Sequence, residues 1–413
     1  MKSITSIVTT LAIPALTLAL TVSSCQRDNA LTPEQGTFQP TAGARQFATK
    51  TNDFSFNFLK EVNAAQRANE NIFVSPLSMH MALGMLLNGA NGTTAEEIKK
   101  VLKLDDVSLT EANQIWQQLL EGLPNADPKV TTTLANAIFH DNNFASEAGF
   151  LTSTTDYFKA RVAAEDFTNQ ATVGKINQWA SDNTNGKIKK IVNQIQPNEV
   201  LFLLNALYFK GDWKYQFNAE QTQDRPFELV DGGQKTVRMM QLNRELRRAF
   251  RPNYTAFELP YGDGTYSMTV MLPKETSSAD ALIKSLSANE WNQLQNDMTA
   301  GSMMIGLPKF TLEYEGNLNG VLSKLGMPTA FTDLADFSKI STKKGLTVTS
   351  VKQNTFVAVD EKGTEAAAVT GIGVGVTSAP ASYFCDRPFV IAITEKQTGA
   401  VLFMGKIVNP ESK

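Results

Sequence analysis

The stretch that most constrains this chain runs from Val359 to Pro380. It begins as a strand-like run and turns into a segment too small and too glycine-rich for an ordinary surface loop. From Thr364 onward one alternating set reads Thr364, Ala366, Ala368, Thr370, Ile372, Val374 and Val376. The other reads Glu365, Ala367, Val369, Gly371, Gly373, Gly375 and Thr377. Successive side chains of a strand point to opposite faces. The first set is uncharged and increasingly β-branched, which suits burial. The second is small, with one charge, which suits a solvent face. Three alternating glycines weaken the segment as a permanent strand. It reads as a loop that can become a strand.

The rest of the chain can supply a large core for such a strand to enter. It has 413 residues, 42% hydrophobic and 19% charged, which is a globular composition. No internal repeat and no long linker follow residue 45, so residues 45–413 read as one domain. A net charge of -3 without a basic stripe excludes a nucleic-acid partner. Lys187 to Lys190 and Glu245 to Arg248 are short enough to be solvated faces. No HExxH, CxxC or GxxxxGK[ST] occurs, so no metal, cofactor or enzymatic centre is expected. Gly371-x-Gly373-x-Gly375 lacks the third glycine of a nucleotide loop, and no helix follows it. His80 lies in an apolar helix and His140 at a strand end, which suits packing better than catalysis.

The two cysteines, Cys25 and Cys385, stand almost a chain length apart, so no disulfide framework is indicated. Lys2 followed by the apolar run Ile4 to Leu20 suits a secretion signal over residues 1–24 and is short for a membrane span. It ends in Val22-Ser23-Ser24-Cys25, which resembles the bacterial lipobox. That resemblance implies cleavage before Cys25 and lipidation of its thiol. Residues 25–44 are polar, with Pro33, Gly36, Pro40 and Gly43, and read as a flexible tether. The expected location is the bacterial cell envelope, at the outer membrane or cell surface, and Gln26 is compatible with outer-membrane sorting. Cys385, within Tyr383-Phe384-Cys385, reads as a buried, inert thiol.

Periodicity outlines the folded part. Asp53 can cap a helix carrying Phe54, Phe58, Leu59 and Val62. Asn71 to Ser78 is a short apolar strand stopped by its proline, and an apolar helix follows from about Ser78 to Leu87. Thr94-Ala95-Glu96-Glu97 reads as a capping box for a helix over Ile98 to Leu104. Further helices are expected over Thr110 to Leu120, Val173 to Asp182, Ala279 to Leu286 and Leu318 to Leu325. Strands are expected over Val130 to Phe144, around Val237, and over Ala256 to Leu259, Tyr266 to Leu272 and Met303 to Leu312. The apolar run Leu201 to Tyr208 reads as a strand buried on both faces. Helices dominate the first half and strands the second, which is an α+β arrangement.

Several motifs in this order resemble the serpins over essentially all of residues 45–413. They are Asn71 to Ser78 with Asn91 to Ile98; Ile176-Asn177-Gln178-Trp179 with Thr184 to Ile188; Leu204 to Trp213; Leu307-Pro308-Lys309-Phe310; Asp360 to Ala368; Arg387-Pro388-Phe389-Val390; and Leu402 to Pro410. The resemblance implies a serpin fold, about nine helices around three β-sheets with an exposed reactive-centre loop. It implies a monomeric suicide-substrate inhibitor of serine proteases. Cleavage of the loop yields an acyl-enzyme, and insertion of the loop into the central sheet traps the protease covalently. A strand from Gly363 to Thr377 spans about 50 Å, the length of a large domain.

By the same resemblance the hinge is Glu361, Gly363, Thr364, Glu365, Ala366, Ala367 and Ala368. Thr364, Ala366 and Ala368 carry neither charge nor proline, as in inhibitory members, and Gly363 can act as the pivot. Spacing from Gly363 and from Pro388 places the reactive bond at Thr377-Ser378, with Val376-Thr377 as the alternative. Small residues there suit elastase- or subtilisin-like proteases, and Val376 would also suit papain-like cysteine proteases. Trp213 matches the breach tryptophan. Ser75, Ser78, Asn205 and Gln353 match the shutter, where Gln353 replaces the usual histidine and loses its titration near neutral pH. The competing readings are a non-inhibitory protein of this fold and a solute-binding surface lipoprotein.

Overall fold

The computed structural model describes residues 38–343, 345–364 and 382–411. The signal region, Cys25, Glu365, Ala366, Ala367, Ala368, Val376, Thr377 and Ser378 lie outside the described residues.

Nine α-helices occur among these residues, and most begin at a hydroxyl that accepts an orphan backbone N–H. Thr41 caps α1 (Ala42–Ala65), and Ser75 caps α2 (Pro76–Gly89), with Pro76 at its first turn. Then come α3 (Gly92–Val101), α4 (Leu109–Gly122), α5 (Ala148–Phe158) and α6 (Ala171–Asn183). Ser278 caps α7 (Ala279–Ser285), Ser287 caps α8 (Ala288–Asp297), and α9 (Asn319–Leu325) is the last.

Three expectations change here. Helix α1 starts eleven residues before Asp53 (42 against 53), so Asp53 is interior and Thr41 is the cap. The segment read as tether up to Ala44 therefore ends earlier, and Phe38 is already buried against Gly122. Thr94 does not cap: its hydroxyl accepts the N–H of Asp336, 2.9 Å away, and α3 begins at Gly92.

The strands in chain order are β1 (Ile72–Val74), β2 (Val130–Asp141), β3 (Arg161–Glu165), β4 (Leu201–Asp212) and β5 (Gln223–Glu228). The middle group is β6 (Gln234–Phe250), β7 (Tyr254–Pro260), β8 (Tyr266–Pro273), β9 (Thr299–Pro308) and β10 (Phe310–Asn317). The last are β11 (Lys352–Val359), β12 (Gly363–Thr364), β13 (Ser382–Phe384), β14 (Phe389–Glu395) and β15 (Val401–Ile407).

One sheet has the order β10-β11-β12-β4-β2-β3. The other runs β1-β15-β14-β8-β7-β6-β9-β13, with β5 also paired to β6. The three sheets implied by the resemblance appear as two hydrogen-bonded networks because β6, with 17 residues, takes part in two of them. Its first part pairs with β5 and β9, its last three residues with β7. The strand expected over Met303 to Leu312 is two strands, parted at Lys309 and placed in different sheets.

A continuous core joins α1, α2 and both sheets. A satellite cluster of Phe139, Ile176, Trp179, Ala180, Val192 and Ala206 lies where α6 packs on β2 and β4. The site described next sits on that sheet, between β4 and β11.

Candidate functional site at the opening of the six-stranded sheet

Strands β4 and β11 flank β12, whose described residues are Gly363 and Thr364. Gly363 pairs with Asp212, and Thr364 pairs with Gly211 on one side and Val359 on the other. Thr364 is thus already inside the sheet, 3% exposed. Gly363 has a steric role in addition to any pivoting: a Cβ there would collide with the carbonyl oxygen of Gly211. Asp360 closes the turn before it, its Oδ1 accepting the N–H of Lys362 at 2.9 Å and of Gly363 at 3.3 Å.

Trp213 anchors this turn. Its backbone N–H donates to Lys362 O at 2.5 Å, and its indole Nε1–H donates to Asp360 O at 2.9 Å. Its ring stacks on Tyr261 with centroids 4.3 Å apart. The Tyr261 hydroxyl lies 2.6 Å from Thr364 Oγ1, so the breach aromatic pair holds the hinge hydroxyl directly. Burial raises the Tyr261 phenol above its ordinary range, and the Thr364 hydrogen bond opposes this more weakly.

Glu361 fixes the other side. Its carboxylate pairs with Lys309 Nζ at 2.7 Å and accepts from Thr222 Oγ1 at 2.8 Å. Burial raises its pKa, but the hydrogen bonds from Lys309 and Thr222 together outweigh it and leave the carboxyl below the usual glutamate range. Phe217 N–H donates to Glu361 O at 2.8 Å. Sequence reasoning named Trp213 and Glu361 but missed Tyr261, Thr222 and the role of Lys309. Lys309 had a signal: a cation between two apolar strands calls for an acidic partner.

Below Thr364 no ladder among the described residues joins β4 to β11. A cavity of 1040 Å³ lies between them, lined by residues 201–206 of β4 and by residues 345–354, with Trp179 and Ile191 beside it. This corrects the reading of Leu201 to Tyr208. Ala206, Leu207 and Tyr208 are buried, but Leu201 to Asn205 are only half-buried, because that half of β4 faces the gap.

At the base, the shutter residues meet through α2. Gln353 Oε1 accepts the Ser75 N–H at 3.0 Å, and its Nε2 donates to Ser75 O at 2.8 Å. Ser75 Oγ donates to Leu402 O at 2.7 Å and accepts from Ser78 N–H. Ser78 Oγ donates to Asn205 Oδ1, and Asn205 Nδ2 donates to Asn136 Oδ1 at 2.7 Å. Gln353 and Asn205 therefore belong to one network, but it passes through the first turn of α2 instead of running straight between the strands. Asn136, which ends the chain of bonds at Phe158 O, was not foreseen.

The remaining chemically capable groups are structural. His80 accepts from Trp116 Nε1–H at 3.0 Å and donates to Leu102 O at 3.1 Å. Burial lowers its pKa to about 4 despite the Leu102 bond. Cys385 is fully buried, and burial pushes its thiol well above the ordinary range. Among the described residues no group of acidic, histidine or cysteine side chains could hold a metal, and no helix is long and apolar enough to cross a membrane.

Comparison with known proteins agrees with this architecture. The family described as Serpin (serine protease inhibitor) matches residues 49–410. The leukocyte elastase inhibitor of Xenopus tropicalis is 34% identical over 370 residues, covering 86% of this chain and 97% of its own. An uncharacterized serpin-like protein of Thermococcus kodakarensis is 33% identical over 370 residues, covering 87% and 85%. Among solved structures, the thermophilic serpin tengpin in its native state superposes with a TM-score of 0.81 at 33% identity, covering 88% of this chain and 94% of its own. Human thyroxine-binding globulin, complexed with its hormone, gives 0.83 at 27% identity, covering 90% and 100%. The chain belongs to the serpin family. Its fold is α+β, and its relatives include protease inhibitors.

Proposed function

We propose that this protein inhibits serine proteases by offering its loop as bait and inserting it, once cut, between β4 and β11. The observation that carries this reading is the junction itself. Among the described residues the two strands are joined at the top by Gly363 and Thr364, and a cavity of 1040 Å³ lies between their other ends. Strand edges with free N–H and C=O groups are templates for another strand. The residues that would enter next on the buried face, Ala366 and Ala368, are small and uncharged.

The reactive bond in this proposal is Thr377-Ser378, with Val376-Thr377 as the alternative. The target class is elastase- or subtilisin-like, since a small residue before the cut suits a shallow pocket. Lipidation at Cys25 would hold the inhibitor at the cell envelope. The test is incubation with a panel of serine proteases and papain-like cysteine proteases, followed by denaturing electrophoresis and intact-mass measurement of the released peptide. Trapping gives a covalent complex that survives boiling in SDS and a peptide beginning at Ser378 or Thr377. Clean cleavage without complex would assign a non-inhibitory role. Complex with cysteine proteases alone would move the target class.

A further inference from the structure

The chain contains four Asn-Gly pairs: Asn88-Gly89, Asn91-Gly92, Asn185-Gly186 and Asn319-Gly320. Asn-Gly is the dipeptide most open to attack of a backbone nitrogen on the preceding side-chain amide, because glycine has no Cβ to hinder the approach. Sequence alone treats the four alike. Their surroundings do not.

Asn88 is buried and exchanges two 2.9 Å hydrogen bonds with Asn113, while also donating to Gly84 O. Gly89 lies inside α2, where its N–H belongs to the helix ladder. At the third pair, the Gly186 N–H donates to Ser181 O at 2.8 Å, so the nucleophile is occupied. At the fourth, Asn319 is held at both amide atoms: Oδ1 accepts from Val351 N–H at 2.7 Å, and Nδ2 donates to Thr349 O at 2.9 Å. Asn91 is exposed, as Asn185 is, and its side chain caps no N–H of α3 and makes one 3.3 Å bond, to Ser338 Oγ, much as that of Asn185 makes one to the Tyr208 hydroxyl. It differs from Asn185 at the glycine that follows. The Gly92 N–H sits at the first position of α3, where a helix leaves its amides without acceptors.

We propose that Asn91 is a site of self-modification, at which the folded protein deamidates ahead of its other Asn-Gly pairs. The Gly92 nitrogen loses its proton and attacks Asn91 Cγ. A bond forms between them, the bond from Cγ to the side-chain nitrogen breaks, and ammonia leaves with the proton. Water then opens the five-membered imide at either carbonyl, giving aspartate or isoaspartate. No reactant besides water is needed.

The product matters because of what faces it. Asn91 N–H donates to Asp336 O at 2.9 Å, and the Asp336 carboxylate lies beside Gly92. Ser338 hydrogen bonds hold that carboxylate anionic, below its ordinary range. A second carboxylate at position 91 would oppose it across the junction of α3 with the segment that carries Phe337 and Ile340. Both of those residues line the cavity between β4 and β11. The proposal stands independently of the inhibitory reading.

The test is timed incubation of the intact protein in mildly alkaline buffer, with peptide mapping by mass and isoaspartyl-specific enzymatic labelling. The peptide containing Asn91 should convert several-fold faster than those containing Asn88, Asn185 and Asn319. The same four peptides should react at similar rates in the urea-unfolded chain, and Asn91→Gln should remove the fast phase. Earlier conversion at another pair in the folded protein would overturn the proposal. So would an unreacted Asn91 over a period in which the unfolded chain converts.

Discussion

The two ends of the junction between β4 and β11 are built on opposite terms. At the top, β12 fills the space between the strands. Trp213, Tyr261 and the Glu361–Lys309 pair grip the turn that delivers it. At the base, the strands face a cavity and, among the described residues, are tied to each other by way of Ser75 and Ser78 at the start of α2. The upper contacts are specific to one short segment. The lower gap offers backbone edges, which accept any extended chain of suitable side chains. In the proposed inhibitory reading, the upper end would align the first residues of an entering strand and the lower end would leave room for the rest.

The comparison is broken most severely at Thr364. An unpaired guanidinium costs about 3–5 kcal/mol where the native side chain is 3% exposed, so Thr364→Arg should abolish the SDS-stable complex and leave a protein that is only cleaved. Full trapping by this variant would refute entry of the loop at that position. Next is Trp213→Ala, which removes the stack on Tyr261 and the bond to Asp360 O. Truncation of a buried tryptophan costs about 3–5 kcal/mol, and the thermal unfolding midpoint should fall accordingly. An unchanged midpoint would mean that the upper grip is not where stability resides.

Helix α2, whose first turn the base uses, has its own acid sensitivity further along, at His80. His80 stays neutral in the fold down to about pH 4, whereas an unfolded histidine protonates near 6.5. The unfolded state therefore binds more protons between those values. Stability is complete above about pH 6.5, falls as pH drops through that window, and loses roughly 3 kcal/mol by its lower end. Unfolding followed by tryptophan fluorescence should show this slope in the wild type, and a His80→Phe variant should lack it. The smallest effect is expected for Gln353→Ala. It strips the Ser75 N–H of its partner and leaves Ser75 O with the Met79 N–H alone of its two donors, costing about 1–3 kcal/mol. A variant as stable as the wild type would show that the base is held by packing alone.

Much of this was readable from the chain. The α+β class and most helices and strands follow from period and motif, and the family resemblance pointed to Trp213, Glu361, Gly363 and Thr364, which the fold brings to one junction. Boundaries failed where tertiary contacts recruited local groups. Thr94 looks like a cap, but its hydroxyl serves Asp336, a residue 242 positions away. Leu201 to Asn205 look doubly buried because they are apolar, yet they border the gap that a later strand would fill. Tyr261 carries no mark in the sequence. It becomes part of the hinge only because β4 and the turn after β7 meet at Trp213 and Tyr261.

By itself the sequence determined that residues 359–380 hold a segment with one face fit for burial, because side-chain alternation is a local property of an extended chain. It also determined that Thr364, Ala366 and Ala368, on that face, carry neither charge nor proline. Only the tertiary structure decided how that segment is received. It placed Thr364 under the Tyr261 hydroxyl, opened the space below it, and routed the shutter bonds through α2. Those outcomes depend on hydrogen bonds and packing between residues far apart in the chain, whose directions and distances no local pattern encodes.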